Sequence, residues 1–370
     1  MNYLNDLKTI INMNSYTKNK TGVDKVGEIF DEWFKDLGFE LNIHNRGSIG
    51  NHRHYISACD KNSKKLLLLG HLDTVFPPNK FEDYSEDKEW IYGPGVCDMK
   101  GGNIVVLQAL RNLNKKKIDI KNIDVLFVSD EETGSDDSKY LTATLAKKYD
   151  YCFVYEAAGK NMEVVTARKG VGTFFIDIQG KAAHAGNHYI DGHDANLEAT
   201  YKLQNLVKLT NLEKGTTVNV GKIEGGIGAN TISPHANLVF ELRYKLLDEK
   251  QRVLKEIDKI VQTSFVKGTI STLSGGIQRD VMQTSQESLE LIKNIKNITN
   301  TTLKHEERGG VSDANIVSSC GVITLDGFGP FGDGDHTLKE RANKKSFESR
   351  ISLSEKLFIY FIKNSDFKGA

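Results

Sequence analysis

Histidine and carboxylate side chains lie at several points where apolar stretches of the sequence end. His71 and Asp73 follow the run KLLLLG at residues 65–70, and Asp98 precedes a helix-like segment. The other candidates at such ends are Glu131, Glu132, Glu156 and His336. In open α/β sheets, ligands bind beyond the carboxyl ends of the strands, so we expect these side chains to lie close together.

The residue types in this set indicate divalent metal chemistry. Histidine and carboxylate side chains are hard ligands, and the absence of cysteine favours a catalytic site over a structural zinc site. The set is large enough for two ions ~3.5–4 Å apart if one carboxylate bridges them. The adjacent acids Asp130, Glu131 and Glu132 are then tolerable, because positive ions lie among them.

The spacing of these residues suggests separate chemical roles for some of them. His71 and Asp73 are two apart, so on an extended chain they share a face, and Asp73 can fix the tautomer of the His71 ring. Glu131 and Glu132 are adjacent and point apart on an extended chain. One of them can bind metal while the other acts as general base.

The elements that position these residues follow an α/β pattern at both ends of the chain. Short apolar runs typical of buried strands alternate with helical segments, which predicts a mainly parallel sheet. The middle differs, with longer alternating stretches and helical patterns near residues 196–209 and 249–263. We therefore predict a catalytic domain at 1–169 and 277–370. An inserted domain of four antiparallel strands and two helices is predicted at 170–276, with glycine hinges at Gly170 and at Gly275–Gly276.

Composition narrows the possible partners. The chain has 49 basic and 49 acidic residues, which argues against a nucleic-acid-binding footprint. No apolar run is long enough to span a membrane, and no signal peptide is recognisable. The four cysteines show no CxxC spacing and fit free thiols in a reduced compartment, which predicts the cytoplasm. No GxGxxG or GxxxxGK[ST] motif supports nucleotide binding.

Six motifs in this order resemble a known enzyme family. They are GHLDTVFP, YGPGVCDMKGG, SDEETGS, GKAAHAG at 180–186, GGIGANTISP and GDGDHTLKE. The sequence resembles the two-zinc amidohydrolases that include glutamate carboxypeptidase, acetylornithine deacetylase, succinyl-diaminopimelate desuccinylase and aminoacylase. The resemblance covers nearly the whole chain. GHLDTVFP and RGGVSDAN at 308–315 are most similar to the glutamate carboxypeptidase branch.

This resemblance implies a role for each matching position. One zinc would be held by His71, Asp98 and Glu156, and the other by Asp98, Glu132 and His336. Glu131 would be the general base, and Asp73 would orient His71. His184, on the inserted domain, would polarise the substrate carbonyl. The positions that would contact the carboxylate side of the substrate are Asn230, Arg243 and Arg279, and arginine suits this role because it grips a carboxylate with two hydrogen bonds.

The sequence therefore predicts a metal-dependent hydrolase that cleaves amide bonds in small peptides or N-acyl amino acids. Zinc is the expected metal, with cobalt and manganese as alternatives, and the resemblance implies a homodimer formed through the inserted lid domain. Other substrates of the same chemistry stay open, including acyl-ornithines, succinyl-diamines and dipeptides. A non-catalytic metal-binding protein of the same fold is a further alternative.

Overall fold

The computed structural model describes residues 3–368, which form two compact units. The first unit contains the chain up to Ala167, the segment Thr284–Arg308 and the chain from Ser312 onwards. The second unit contains Arg168–Gln283 and the short segment Gly309–Val311. The inserted domain predicted at 170–276 lies within the second unit.

The helices and strands alternate along the first unit, whereas long strands dominate the second. The helices are α1 Tyr3–Ile11, α2 Lys20–Lys35, α3 Lys100–Lys115, α4 Ser138–Ala146, α5 Ala195–Val207, α6 Leu247–Gln262, α7 Gln286–Thr299, α8 Ala314–Ser319 and α9 Lys344–Asn364. The strands are β1 Glu40–His44, β2 His52–Ile56, β3 Leu66–His71, β4 Ser85–Glu86, β5 Trp90–Tyr92, β6 Ile123–Val128, β7 Tyr151–Val154, β8 Val164–Arg168, β9 Gly170–Gln179, β10 Thr217–Gly225, β11 His235–Tyr244, β12 Ile270–Arg279, β13 His305–Arg308, β14 Ile323–Leu325, β15 Gly332–Asp333 and β16 Arg341–Asn343.

The main sheet of the first unit is mostly parallel. Within residues 3–368 it has six strands in the order β1-β2-β6-β3-β7-β14. The strands β6, β3, β7 and β14 are parallel to one another, and β1 and β2 add an antiparallel edge. All residues of β3, β6 and β7 are buried, as their continuous apolar runs predicted. The predicted α/β class is confirmed.

Helices cover this sheet by aromatic packing and by close backbone approach. On α2, Phe34 stacks on Tyr55 with ring centroids 4.1 Å apart, and Phe30 meets Phe127 at 5.0 Å. Near its start, α3 passes so close to its neighbours that a Cβ on Gly102 would lie 1.9 Å from a backbone oxygen. This close approach brings the beginning of α3 to the carboxyl ends of the strands.

The second unit is built on one antiparallel sheet with the strand order β10-β11-β9-β12. Strand β11 alternates strictly between buried and more exposed residues, so one face is apolar. Helices α5 and α6 pack on that face, and Val253, Ile257 and Ile260 of α6 join its core. The expectation of four antiparallel strands with two helices is thus confirmed.

The hinge predicted at Gly275–Gly276 is wrong, because both glycines lie inside β12, opposite Phe174 and Thr173 of β9. A Cβ on Gly275, whose φ is +86°, would lie 2.3 Å from the Thr173 carbonyl oxygen. Here glycine permits close strand pairing rather than a break in the chain. Within residues 3–368, no helix is both long and apolar enough to cross a membrane.

Candidate metal centre

The five predicted metal ligands lie at one edge of the main sheet in the first unit. His71 is the last residue of β3, and Glu156 lies two residues beyond the end of β7. Asp98 lies just before α3, where Met99 is the N-cap. Glu132 lies in a 3-10 turn after β6, and His336 lies in the loop between β15 and β16. Parallel strands whose carboxyl ends lie side by side therefore bring together residues distant in sequence.

Asp98 lies at the middle of the cluster. Its Oδ1 is 3.1 Å from Nε2 of His71, and its Oδ2 is 3.3 Å from Nε2 of His336. The Nε2 atom of His336 is also 3.0 Å from Oε2 of Glu132, and that of His71 is 3.8 Å from Oε1 of Glu156. The cluster therefore consists of two His–carboxylate groups that share Asp98.

The chemistry of these donors fits divalent cations. Ligand atoms of His71, Asp98 and Glu132 all lie within 4.8 Å of one another, a separation that one ion can span. Nitrogen and carboxylate oxygen are the usual ligands of catalytic zinc. With one histidine and one further carboxylate on each side of Asp98, the donor set can hold two ions with Asp98 between them.

The carboxylates of the cluster outnumber its histidines, and this excess of acid shifts the pKa values of both residue types. Burial, followed by the charge of Asp98, raises the pKa of Glu132 and of Glu156 well above the usual range. Hydrogen bonds that the His336 ring donates to Asp98 and Glu132 raise the pKa of His336 to about 11. Burial opposes charge on His71, but its contacts with Asp73 and Asp98 raise its pKa well above normal. The donors of this cluster therefore favour a positive charge bound among them.

Asp73 contacts both His71 and the turn that carries the acidic pair. Nδ1 of His71 lies 3.0 Å from the Asp73 backbone oxygen and 3.4 Å from its carboxylate. The Asp73 carboxylate accepts hydrogen bonds from the backbone N–H groups of Glu131 at 3.3 Å and Glu132 at 3.2 Å. It also accepts one from the Thr17 hydroxyl at 2.7 Å. Asp73 therefore fixes the position of two segments of the site.

The extended geometry assumed for the acidic pair is wrong. Glu131 and Glu132 lie in the 3-10 helix Glu131–Thr133, which ends at Gly134 with a φ of +99°. Successive residues in such a helix are rotated by about 120°, not by the half-turn of a strand. In this turn the Glu132 carboxylate is directed to His336, with its Oε2 3.0 Å from the His336 Nε2.

The four other predicted site residues belong to the second unit. His184 is exposed, and its Nδ1 accepts hydrogen bonds from the backbone N–H groups of Gly186 and Asn187, each at 3.2 Å. In a neutral ring the proton is then on Nε2, which can donate a hydrogen bond. Asn230 is close in space, since its backbone oxygen accepts from Ala185 at 3.0 Å.

Arg243 and Arg279 flank the same residue of the central strand. Both are paired with Val171 of β9, one from β11 and one from β12. Arg243 contacts Glu241 through two nitrogens, at 2.6 and 3.2 Å, and donates to the Gly309 oxygen at 3.1 Å. Arg279 is only 4% exposed.

Sequence reasoning missed several residues that support the cluster. Glu340 binds the backbone just before Asp98, and Thr17 supports Asp73. Ser135 donates to Asp313 at 2.5 Å and thereby ties the turn after Glu132 to the segment before α8. The only available signal for Glu340 was its place in GDGDHTLKE, four residues after His336.

A family model, a protein of known name and solved structures are all similar to this chain. A family model described as Peptidase family M20/M25/M40 matches residues 67–359. The chain is 26% identical over 372 residues to carboxypeptidase G2 from Pseudomonas sp. (strain RS-16), covering 95% of this chain and 88% of that protein. Aminopeptidase PepT from Bacillus cereus ATCC 10987 has a similar structure, with a TM-score of 0.81, 20% identity and 98% of both chains covered. A tripeptidase from Staphylococcus aureus subsp. aureus Mu50 has the same TM-score and coverage at 21% identity.

The fold and the family match together define the class of this protein as a metallopeptidase. The matched segment includes more than half of the chain and contains all five residues of the cluster. The chain belongs to peptidase family M20/M25/M40, and the resemblance predicted from the motifs is confirmed.

Proposed function

We propose that this protein is a two-zinc exopeptidase of the glutamate carboxypeptidase type, which cleaves the amide bond of small peptides or N-acyl amino acids. The observation that carries this proposal is the placing of Asp98 between two His–carboxylate groups, next to the turn of Glu131. The similarity to carboxypeptidase G2 over 95% of the chain supports this choice of branch.

His71, Asp98 and Glu156 would hold one ion, and Asp98, Glu132 and His336 the other. Zinc is proposed because mixed nitrogen and carboxylate ligands suit it, while cobalt and manganese accept the same donors. Two such ions would supply Lewis acidity and a shared water of lowered pKa. The protein contributes the rigid turn geometry that keeps Glu132 and Asp98 in place.

Glu131 is the proposed general base and acid. It takes a proton from the nucleophilic water, whose oxygen then bonds to the amide carbonyl carbon. When the carbon–nitrogen bond breaks, Glu131 delivers that proton to the leaving amine. The backbone of Glu131 is held by Asp73 through its N–H group, which restricts where the carboxylate can lie.

His184 is proposed to donate a hydrogen bond from Nε2 to the substrate carbonyl oxygen. Its Nδ1 is already an acceptor for two backbone N–H groups, so Nε2 carries the proton in the neutral ring. Asn230, Arg243 and Arg279 are proposed to bind the carboxylate of the substrate. The contact of Arg243 with Glu241 keeps its guanidinium oriented, because two nitrogens are engaged on one side.

A second candidate function is tripeptide cleavage from a free amino terminus. The aminopeptidase and the tripeptidase both match over 98% of their lengths, so the fold itself is equally suited to that reaction. The two functions differ in the end of the substrate that must be charged. A carboxypeptidase accepts a blocked amine, whereas an aminopeptidase requires a free one.

We further propose a homodimer formed through the second unit and a location in the cytoplasm. The second unit has β10 and β12 as the edges of its sheet, and an edge strand can pair with that of another chain. All four cysteines are free thiols, which suits a reducing compartment. Analytical ultracentrifugation of the purified chain tests the dimer.

The experiment that tests the function is amine release from a panel of substrates, with added zinc and with a chelator. Chelator-sensitive cleavage of N-acyl-glutamate and N-acyl-aspartate supports the carboxypeptidase. Cleavage restricted to free tripeptides supports the second candidate. Preference for acyl-ornithine, succinyl-diamine or dipeptide substrates would keep the chemistry and change the branch. If two metals bind and no substrate is cleaved, the protein is a metal-binding protein without this activity.

A further inference from the structure

The turn that carries Asp98 is held by a single buried carboxylate. Glu340 is 1% exposed, and its Oε2 accepts a hydrogen bond from the Gly95 N–H group at 2.9 Å. Its Oε1 accepts two more, from Cys97 at 3.1 Å and from Asp98 itself at 3.2 Å. The Gly93 N–H group bonds to the backbone oxygen of Glu340 at 3.3 Å. Four N–H groups between residues 93 and 98 therefore end on one residue.

This segment has no regular structure of its own to satisfy these donors. It follows β5 and precedes α3, and Gly93 and Gly95 have φ values of +149° and +77°. Buried N–H groups need acceptors, and hydrogen bonds to a carboxylate are stronger than those to a neutral oxygen. The Glu340 side chain thus replaces the partners that a strand or helix would supply, and it fixes the peptide from which the Asp98 side chain extends.

Glu340 also lies where it can fix the position of His336. The two residues are four apart in the loop that joins β15 to β16, and the Glu340 N–H group bonds to the Thr337 oxygen at 3.2 Å. Thr337 in turn bonds to the Gly334 oxygen through its hydroxyl at 2.7 Å. The His336 side chain is 57% exposed, so few packing contacts hold it. The position of this ligand depends on the tight turn that ends at Glu340.

We propose that Glu340 is a positioning residue that fixes the backbone segments carrying Asp98 and His336 before any metal binds. It is not one of the proposed ligands, and both of its carboxylate oxygens accept hydrogen bonds from backbone N–H groups of the turn. Both of the ligands that it positions belong to the group formed by Asp98, Glu132 and His336. Its loss therefore weakens that side of the centre most. The proposal rests on the function proposed above, since it assumes that the cluster binds metal.

The test is the Glu340→Gln variant, with metal affinity as the readout. Glutamine has the same shape but presents an NH₂ group to one of the donors, so at least one N–H group of the turn loses its acceptor. Replacing residues that orient metal ligands costs ~10–100-fold in affinity. We expect a loss of this size for at least one ion when metal-free protein is titrated with zinc at pH 8 against a competing chelator.

The matched control is Asp124→Asn, which also removes a buried carboxylate from the first unit. Asp124 accepts from the backbone of Ser57 at 2.9 Å and from the Tyr149 hydroxyl at 2.7 Å. It lies near the start of β6, at the opposite end of the strand from the metal cluster. We expect this variant to lose thermal stability but to bind zinc with the wild-type affinity.

Three outcomes separate the proposals. If the wild type binds two ions and Glu340→Gln binds them equally well, the positioning role is wrong and the proposed function stands. If both variants lose affinity equally, the effect is general destabilisation and the positioning role is again wrong. If the wild type binds no metal, the proposed function fails, and this inference fails with it.

A measurement on the wild type keeps the proposal testable if Glu340→Gln does not fold. Amide hydrogen exchange of the metal-free protein reports on the N–H groups of Gly95, Cys97 and Asp98 directly. We expect all three to be strongly protected without metal, because Glu340 already holds them. Fast exchange without metal and protection only after zinc addition would show that the ion, not Glu340, orders the turn.

Discussion

Each unit of the molecule buries charged side chains, but the two groups differ in how their charge is balanced. In the second unit, Lys202 and Glu198 are both 0% exposed and lie 2.9 Å apart. Lys202 also donates to the backbone oxygens of Ile260 at 2.6 Å and Thr263 at 2.7 Å, and Glu198 accepts from Val266 at 2.6 Å. This pair is electrically neutral, and it connects α5 to the end of α6.

The cluster in the first unit is not balanced within the protein. Three carboxylates face two histidines, and the pKa values of Glu132 and Glu156 rise as burial and Asp98 disfavour their charge. This difference in charge balance distinguishes buried charges that stabilise the fold from buried charges that bind a ligand. A neutral buried ion pair is structural, whereas an excess of buried acid implies a cation that binds there. Glu→Gln substitutions test this distinction, because they remove one charge with little change of shape.

Glu131→Gln is expected to have the largest effect on turnover. The general base would be lost while all five ligands stay in place, and such groups contribute about 10²–10⁴-fold to rate. Steady-state kinetics with metal analysis should show this loss of kcat with two ions still bound. The exposed Glu213→Gln is the matched control and should have wild-type kinetics. Normal turnover in the first variant would remove Glu131 from this role.

Glu198→Gln is expected to destabilise the protein whether or not metal is present. It leaves the Lys202 charge buried without its counter-ion, and breaking a buried pair costs about 3–5 kcal/mol of the free energy of unfolding. Urea unfolding with and without zinc measures this.

The pair Lys222–Glu224 offers the exposed counterpart, since both side chains are more than half exposed. Glu224→Gln should cost less than about 1 kcal/mol. If Glu198→Gln costs no more than Glu224→Gln, the buried pair does not stabilise the second unit as proposed.

Glu132→Gln is expected to depend on metal, in contrast to Glu198→Gln. The raised pKa of Glu132 means that its charge is disfavoured in the metal-free fold, so removing the charge should cost that form little. The metal-loaded form should lose the stabilisation that binding provides, which is about 2.7 kcal/mol when the metal concentration is 100 times Kd. Calorimetric unfolding with and without zinc distinguishes the two. Equal destabilisation in both states would mean that Glu132 is structural.

Much of this arrangement could be predicted from sequence, because strand ends are easy to locate. The continuous apolar runs before His71 and Glu131 fixed the positions of β3 and β6, and the parallel sheet then required their ends to meet. The turn geometry at Glu131 could not be predicted, since it depends on Asp73 and Gly134.

Supporting residues were the other part that sequence did not reveal. Glu340 lies 242 residues from Asp98 in sequence, and its type and spacing resemble those of any surface acid. The path of the chain through strand β12 was predicted wrongly for a different reason. Its Gly275–Gly276 pair suggested a break in the chain, and only the close approach of β9 explains why glycine is needed there.

The smallest expected effect is a dependence of metal stabilisation on pH. The pKa of His336 in the metal-free cluster is raised to about 11, from an unfolded value near 6.5. A histidine with a raised pKa stabilises the fold fully below pH ~6.5, and this contribution is lost progressively as pH rises towards about 11. Bound metal replaces the proton on His336, so the metal-loaded form does not lose this stabilising contribution.

The difference in Tm between the metal-loaded and metal-free forms should therefore widen from pH 6.5 to 8.5 in scanning calorimetry. In Glu132→Gln, which lacks one of the two carboxylates that raise this pKa, the widening should be smaller. A difference that stays constant over this range would show that His336 does not exchange a proton for metal, and that the imbalance of charge lies elsewhere in the cluster.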